Sequence, residues 1–456
     1  MSALRGSIRD RRIDGAPGRA QTIAFGASAF PVQLMAQTFA AFVVYFYVSH
    51  LGVSATWVAG AMICHAIVNA ALNPLVGAAS DRRRTAWGRR IPWIGLGIVP
   101  LVVAFVLIWI PPALPPAGLI IWFLIVVAVY DIATVAVVLN ASALFPEIFR
   151  TTAERTRGNV PRQIFGIVGM VLGTALAPVL YGLIGWAGMS LALGAVCLAM
   201  LTWSFAGGMI ERTAPTGTGP AAPPPMSWQD QLRYTLNNRA FVTYVLGSLF
   251  VQTSIAIIVA TIPFYVRYSL HQPDTSGSIL LGAVFAAAIP SLFGWSALAR
   301  ATSPRTALLW AVAVFGVAAV GYQFASSTVA AAGVSLALGI GVGGLLQLLE
   351  IALAQIIDAD ADRTGHRREG VYFGVNGFIV RGSVVLQAIT TAAILAATGF
   401  DARLQDAQPE TVDGGIRLMV GLIPLAFALL AWGFFFAFPL RSHAPALDLD
   451  LAKDPA

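Results

Sequence analysis

Asn73-Pro74-Leu75-Val76-Gly77-Ala78-Ala79-Ser80-Asp81-Arg82-Arg83-Arg84-Thr85-Ala86-Trp87-Gly88-Arg89-Arg90 runs directly into Ile91–Ile110, twenty residues without a charge. A helix needs about 20 apolar residues to cross the hydrocarbon core of a bilayer, so the second stretch predicts a membrane span. The first then reads as the end of an earlier span followed by a tight basic turn. Outward from this point the pattern repeats, as in Leu119–Leu139 and Leu418–Leu440. The 456 residues are 57% hydrophobic and 11% charged, against roughly 25% charged in soluble domains. That excludes a soluble multidomain enzyme. Forty-four glycines suit helices packed closely in lipid.

The apolar runs predict twelve spans, at 22–49, 56–79, 91–110, 117–144, 161–184, 189–210, 240–267, 278–299, 305–325, 329–357, 371–398 and 418–439. The polar segment Glu211–Arg239, with Gly219-Pro220-Ala221-Ala222-Pro223-Pro224-Pro225, divides them six and six. The expected organisation is a polar tail at 1–21, a bundle at 22–210, a linker at 211–239, a second bundle at 240–439 and a tail at 440–456. The first residues lack an apolar core, so they read as a disordered tail and not a cleaved leader. Arginines crowd the amino-terminal tail, 82–90, 150–157, the linker, 300–305 and 363–368. The alternate loops hold little beyond Arg267, Arg403 and Arg417. This bias predicts that both termini and the linker face the cytoplasm, in a cytoplasmic membrane. It also accounts for the net charge of +7 without a nucleic-acid partner. Cys64 and Cys197 both lie in spans, which leaves no disulfide framework and no metal cluster.

Two six-helix halves joined by a cytoplasmic linker predict an all-α membrane protein with the major facilitator fold. The loop quoted above supports that plan, with a degenerate counterpart at Ala299-Arg300 through Arg305. Gly77, Asp81, Arg82, Gly88, Arg89 and Arg90 are candidates for a conformational latch, and Asp358 and Asp360 for its equivalent in the second half. A solvated basic turn is the simpler alternative.

The same residues resemble the signature of the glycoside–pentoside–hexuronide:cation symporters. Ala143-Leu144-Phe145-Pro146-Glu147, Glu154-Arg155-Thr156 and Arg162-Gln163-Ile164-Phe165-Gly166 resemble that family's connection between spans 4 and 5. Asn238-Arg239-Ala240-Phe241 resembles its entry to span 7. Ile357-Asp358-Ala359-Asp360 with Thr364-Gly365-His366-Arg367-Arg368-Glu369-Gly370 resembles its loop between spans 10 and 11. The resemblance implies two bundles around a central cavity, alternating access, and glycosides, pentoses or uronides carried with Na+ or H+.

A charge deep in a span is costly and normally faces a cavity with a partner. Asp131 stands mid-span 4, Arg162 opens span 5, Glu350 lies in span 10 with Gln347 one turn before it, and Arg381 lies in span 11. Asp131 can accept sugar hydroxyls or carry a proton. In the resemblance it matches the span 4 aspartate near the sugar and cation sites, and Arg162 matches the span 5 arginine that helps bind sugar. A buried Asp131–Arg162 pair that only fixes packing is the alternative. Arg381 stands where relatives carry a lysine, and its planar fork favours a carboxylate or phosphate. Asp131, Arg162, Arg381 and Gln347 are therefore candidate solute ligands, while Glu350 reads equally as a coupling group or a structural pair.

Span 2 departs from the family pattern. Where the family has two aspartates, this chain has Asn69 and Asn73 at i, i+4, with His65 one turn earlier on the same face. Hard cations are held by charged or multiple oxygens, so the loss of both charges argues against Na+ coupling. The coupling set is thus Asp131, Glu350, His65, Asn69 and Asn73, with H+ the expected ion and Na+ the alternative. Span 1 likewise offers Gln33, Gln37, Thr38, Tyr45 and Tyr47 in place of a family aspartate. No nucleophile–base pair, phosphate loop or cofactor motif is present, so neither catalysis nor a cofactor is expected. The expected protein is a monomeric carrier of a small solute. A lysolipid carrier of the same fold, or a non-transporting membrane sensor or assembly factor, are the other readings.

Overall fold

The computed structural model describes residues 12–13, 15–82, 90–212, 233–364 and 369–439. The first apolar run folds as α1 (Arg19–Ala27) and α2 (Ala29–Tyr45), extended by a π-helical turn at Phe46–His50. Then come α3 (Ala55–Arg82), α4 (Ile91–Ile108), α5 (Pro116–Ile148), α6 (Thr152–Ala175) and α7 (Ala177–Gly207). The second half is α8 (Arg239–Phe264) with a π-helical turn at Tyr265–Ser269, α9 (Ser276–Ala301), α10 (Pro304–Val320) and α11 (Thr328–Thr364). It closes with α12 (Glu369–Ala397), α13 (Glu410–Val420) and α14 (Leu422–Phe436).

Among the described residues, ten helices are long and apolar enough to cross a membrane. α3 contributes a shorter apolar stretch, Ala55–Asn69. α6 is diluted by Glu154, Arg155, Arg157 and Arg162 near its start. The chain is therefore an all-helical, multi-pass membrane protein of ten to twelve spans. α7 runs across the expected border of spans 5 and 6, and the backbone leaves helical geometry at that border, at Gly185, where φ is +72°. A residue with a Cβ would be strained there.

Two described pieces of the amino-terminal segment hold regular structure. α1 already begins at Arg19, and Arg12–Ile13 (β1) pairs in parallel with Glu211–Arg212 (β2). Hydropathy does not register such an edge, because two backbone pairings leave no apolar signature. The β2 strand is anchored in turn by Arg212, whose guanidinium donates to the carbonyl of Ile148 at 3.1 Å and to Glu154 at 2.8 Å. Glu154 also closes a capping box on α6: its backbone N–H donates to the Thr151 hydroxyl, and its carboxylate accepts from the Thr151 N–H. The Arg212 hydrogen bond, helped by the N–H of Arg150, holds the Glu154 carboxyl down to about 2.

The chain forms two compact units. One gathers α1 through α7 with Val266–Ser278 and Ala388–Val412; the other gathers α8 with Ile279–Gln387 and the chain from Asp413. In the first unit α2 lies against α6, and α5 against both α3 and α4. The α2–α6 contact is made backbone to backbone. A Cβ on Gly169 would overlap the Phe30 carbonyl oxygen, and one on Gly173 would overlap that of Leu34. Thr38 adds a hydrogen bond to the Gly173 carbonyl at 2.9 Å. Small residues four apart allow this approach, which supplies contact energy where no water is expelled.

Candidate functional site

Asp131 sits near the middle of α5, and only 1% of it is exposed. A carboxylate at this depth is tolerated only if both oxygens find partners. α3 supplies them. His65 Nδ1 lies 2.7 Å from Asp131 Oδ2, and Asn69 Nδ2 donates to Asp131 Oδ1 at 2.9 Å. The i, i+4 spacing of His65 and Asn69 puts both on the face of α3 that meets α5. Phe39 of α2 covers the pair, 5.3 Å from the His65 ring and nearly parallel to Tyr130 at 5.8 Å. The histidine side chain remains 14% exposed, against 2% for the aspartate side chain, so His65 is the less buried member of the pair.

Arg162 takes no part in this triad. Its Nη2 donates to Ser142 at 3.3 Å and its guanidinium lies 5.6 Å from the Phe145 ring centroid. Ser142 is eleven residues beyond Asp131 on α5, about 16 Å along the helix. The alternative of a buried Asp131–Arg162 pair is therefore not the one found: the carboxylate is held by a histidine and an amide. Of the other candidates, Gln347 donates to Ser296 at 2.5 Å, tying α11 to α9 in the second unit, and its Oε1 is buried without a hydrogen-bond partner. Glu350 on α11 and Arg381 on α12 are exposed in the same unit.

Among the latch candidates, Arg90 donates to Glu147 at the end of α5 at 2.9 Å. Asp360 is buried and pairs with Arg363 within α11 at 3.1 Å, whereas Asp358 is exposed. Gly77 lies within α3. Gly88 and Arg89, and the side chains of Asn73, Asp81 and Arg82, lie outside the described residues.

Sequence reasoning missed a second polar cluster at the opposite end of the first unit. Tyr45 donates to Asp274 at 3.0 Å, Ser49 and Tyr268 share a hydrogen bond at 2.6 Å, and Arg267 donates to Asp406 at 2.9 Å. Trp186 backs the cluster, stacked on Tyr181 at 3.9 Å between centroids. Asp274 lies in a loop with no motif around it, so only its tertiary partner marks it. Burial pushes its carboxyl above the ordinary range, while the Tyr45 hydrogen bond, Arg267 and His50 pull it back. A raised folded-state value means stability that is complete below the unfolded value and is lost as pH rises through the folded one. Asp274→Asn is expected to remove this dependence. Relative to the variant, the wild type should lose Tm as pH rises above the ordinary aspartate value of about 4; a difference that does not change with pH would contradict the assignment.

A family model described as MFS/sugar transport protein matches residues 24–442. An uncharacterised symporter of Synechocystis is 23% identical over 89% of this chain and 91% of its own length. The sodium-dependent lysophosphatidylcholine symporter 1 of Gallus gallus is 22% identical over 82% of this chain and 77% of its own. The isoprimeverose transporter of Lactiplantibacillus pentosus is 21% identical over 96% and 92%. Among solved structures, a bacterial homolog of the human lysosomal transporter Spinster, inward-facing and unoccupied, superimposes with a TM-score of 0.69. That match covers 93% of this chain and 98% of the other at 15% identity, a likeness of fold alone.

Proposed function

The chain belongs to the MFS/sugar transport family of membrane symporters, and from that premise we propose that it carries a small hydroxylated solute together with H+. The observation that carries this reading is the Asp131–His65–Asn69 triad. Both partners present donors to the carboxylate, so its oxygens are occupied by hydrogens where a Na+ site would leave them open to the ion. A proton taken up by the pair turns the hydrogen bond between an uncharged imidazole and a carboxylate into a buried ion pair, and its release leaves Asp131 as the site's unneutralised charge. Solute hydroxyls compete for that carboxylate, which links solute affinity to proton occupancy. Arg162 is the further polar group of the first unit that we propose for the solute. The arginine-rich loops support an orientation with both termini in the cytoplasm.

A lysolipid cargo is the second reading, favoured by the similarity to the lysophosphatidylcholine symporter. A thermal-shift screen of the purified protein against sugars, uronides, nucleosides and lysolipids, with and without Na+, separates the two. The account expects a stabilising hydroxylated solute whose shift changes with pH and ignores Na+. A shift that appears only with Na+, or only with lysolipids, would overturn it.

A further inference from the structure

The first unit has a recess at its basic end that the transport reading does not use. It opens between the start of α1 and the start of α6, measures about 400 Å³, and is lined by Arg19, Ile23, Phe149, Arg157, Val160 and Ile164, among others. Its rim is cationic. Arg19 and Arg157 are both exposed, and among the described residues neither guanidinium has an ion-pair or hydrogen-bond partner. The nearby carboxylate, Glu154, is already engaged by Arg212 at 2.8 Å and by the N–H of Arg150 at 2.7 Å. Its charge is thus answered elsewhere.

The inner wall is apolar and open. Ile23 is 46% exposed, Val160 55% and Ile164 57%. Val160 and Ile164 continue through Ile167 and Val168, also exposed, as a strip on one face of α6 leading from the rim into the apolar span. A pair of cations above such a strip matches a molecule with an anionic head and an acyl tail. We infer that this recess binds an anionic phospholipid, its phosphate between Arg19 and Arg157 and one acyl chain along Val160–Ile164. A zwitterionic lipid would bring a quaternary ammonium towards two guanidiniums, and a free phosphate would leave the strip uncovered. Basic pockets at membrane faces bind anionic headgroups by this combination.

The inference is independent of which solute or ion is carried, and its test involves neither. The full-length protein in neutral detergent is offered equal amounts of phosphatidylglycerol and phosphatidylcholine, and retained lipid is counted by native mass spectrometry. The wild type is expected to retain phosphatidylglycerol preferentially. Arg19→Gln and Arg157→Gln should each lower that retention about fivefold, and the double variant about 25-fold, at the usual contribution of one basic residue near a lipid surface. Val160→Trp, which fills the recess and leaves both guanidiniums, should lower it as well. Equal retention of the two lipids by the wild type, or unchanged phosphatidylglycerol in the double variant or in Val160→Trp, would overturn the assignment.

Discussion

Asp131→Asn is expected to abolish gradient-driven uptake, by about 100-fold or more, while the protein reaches the membrane at wild-type abundance. The two halves of this result have separate causes. The amide is isosteric and can replace both hydrogen bonds: its oxygen accepts from Asn69, and its NH2 donates to His65 once the imidazole adopts its other tautomer. No buried group is left unsatisfied, so folding is spared. The negative charge, however, is gone. Without that charge, proton occupancy is no longer linked to solute affinity. A charge-assisted contact of about 3 kcal/mol corresponds to roughly 100-fold in the coupled step. Solute exchange between two equal pools, which needs no net proton movement, should survive better than accumulation. Normal accumulation by the variant would remove Asp131 from the mechanism.

Gly169→Val should have the largest effect on the fold itself. Its Cβ would occupy the position of the Phe30 carbonyl oxygen, and a backbone atom cannot swing aside as a side chain can. α2 would have to withdraw from α6, losing the Thr38–Gly173 hydrogen bond and the cover that Phe39 gives to His65. Overpacking of this kind costs about 3 kcal/mol, and in lipid no hydrophobic gain between helices offsets it. Most of the protein is expected to leave the monodisperse peak on size exclusion in mild detergent. Gly60→Ala on α3, where a Cβ meets nothing within 4 Å, is the matched control and should be harmless. Equal monodispersity of the two variants would show that the α2–α6 contact does not set stability.

Much of this architecture is legible before any coordinates are known, because the bilayer imposes one rule on every span. Length and charge identify the helices. Asp131, His65 and Asn69 stand out for the same reason: polar groups at that depth need a purpose. Their mutual contact was not legible, since which face of α3 meets α5 depends on packing far from both. The same ignorance made Arg162 look like the partner of Asp131, although the register of α5 and α6 brings it to Ser142. Asp274 shows the limit most plainly. It meets Tyr45 across 229 residues of chain, in a loop whose local sequence carries no pattern. The break at Gly185 falls in the gap between the apolar runs 161–184 and 189–210, and only its positive φ was not legible.

The central claim is that Asp131 and His65 move a proton with the solute. Sealed proteoliposomes holding an internal pH dye test it directly, once the screen has supplied a solute. With no Na+ present, external solute should acidify the lumen of wild-type vesicles and leave Asp131→Asn vesicles unchanged. Solute entry without acidification, or acidification that persists in Asp131→Asn, would contradict the account.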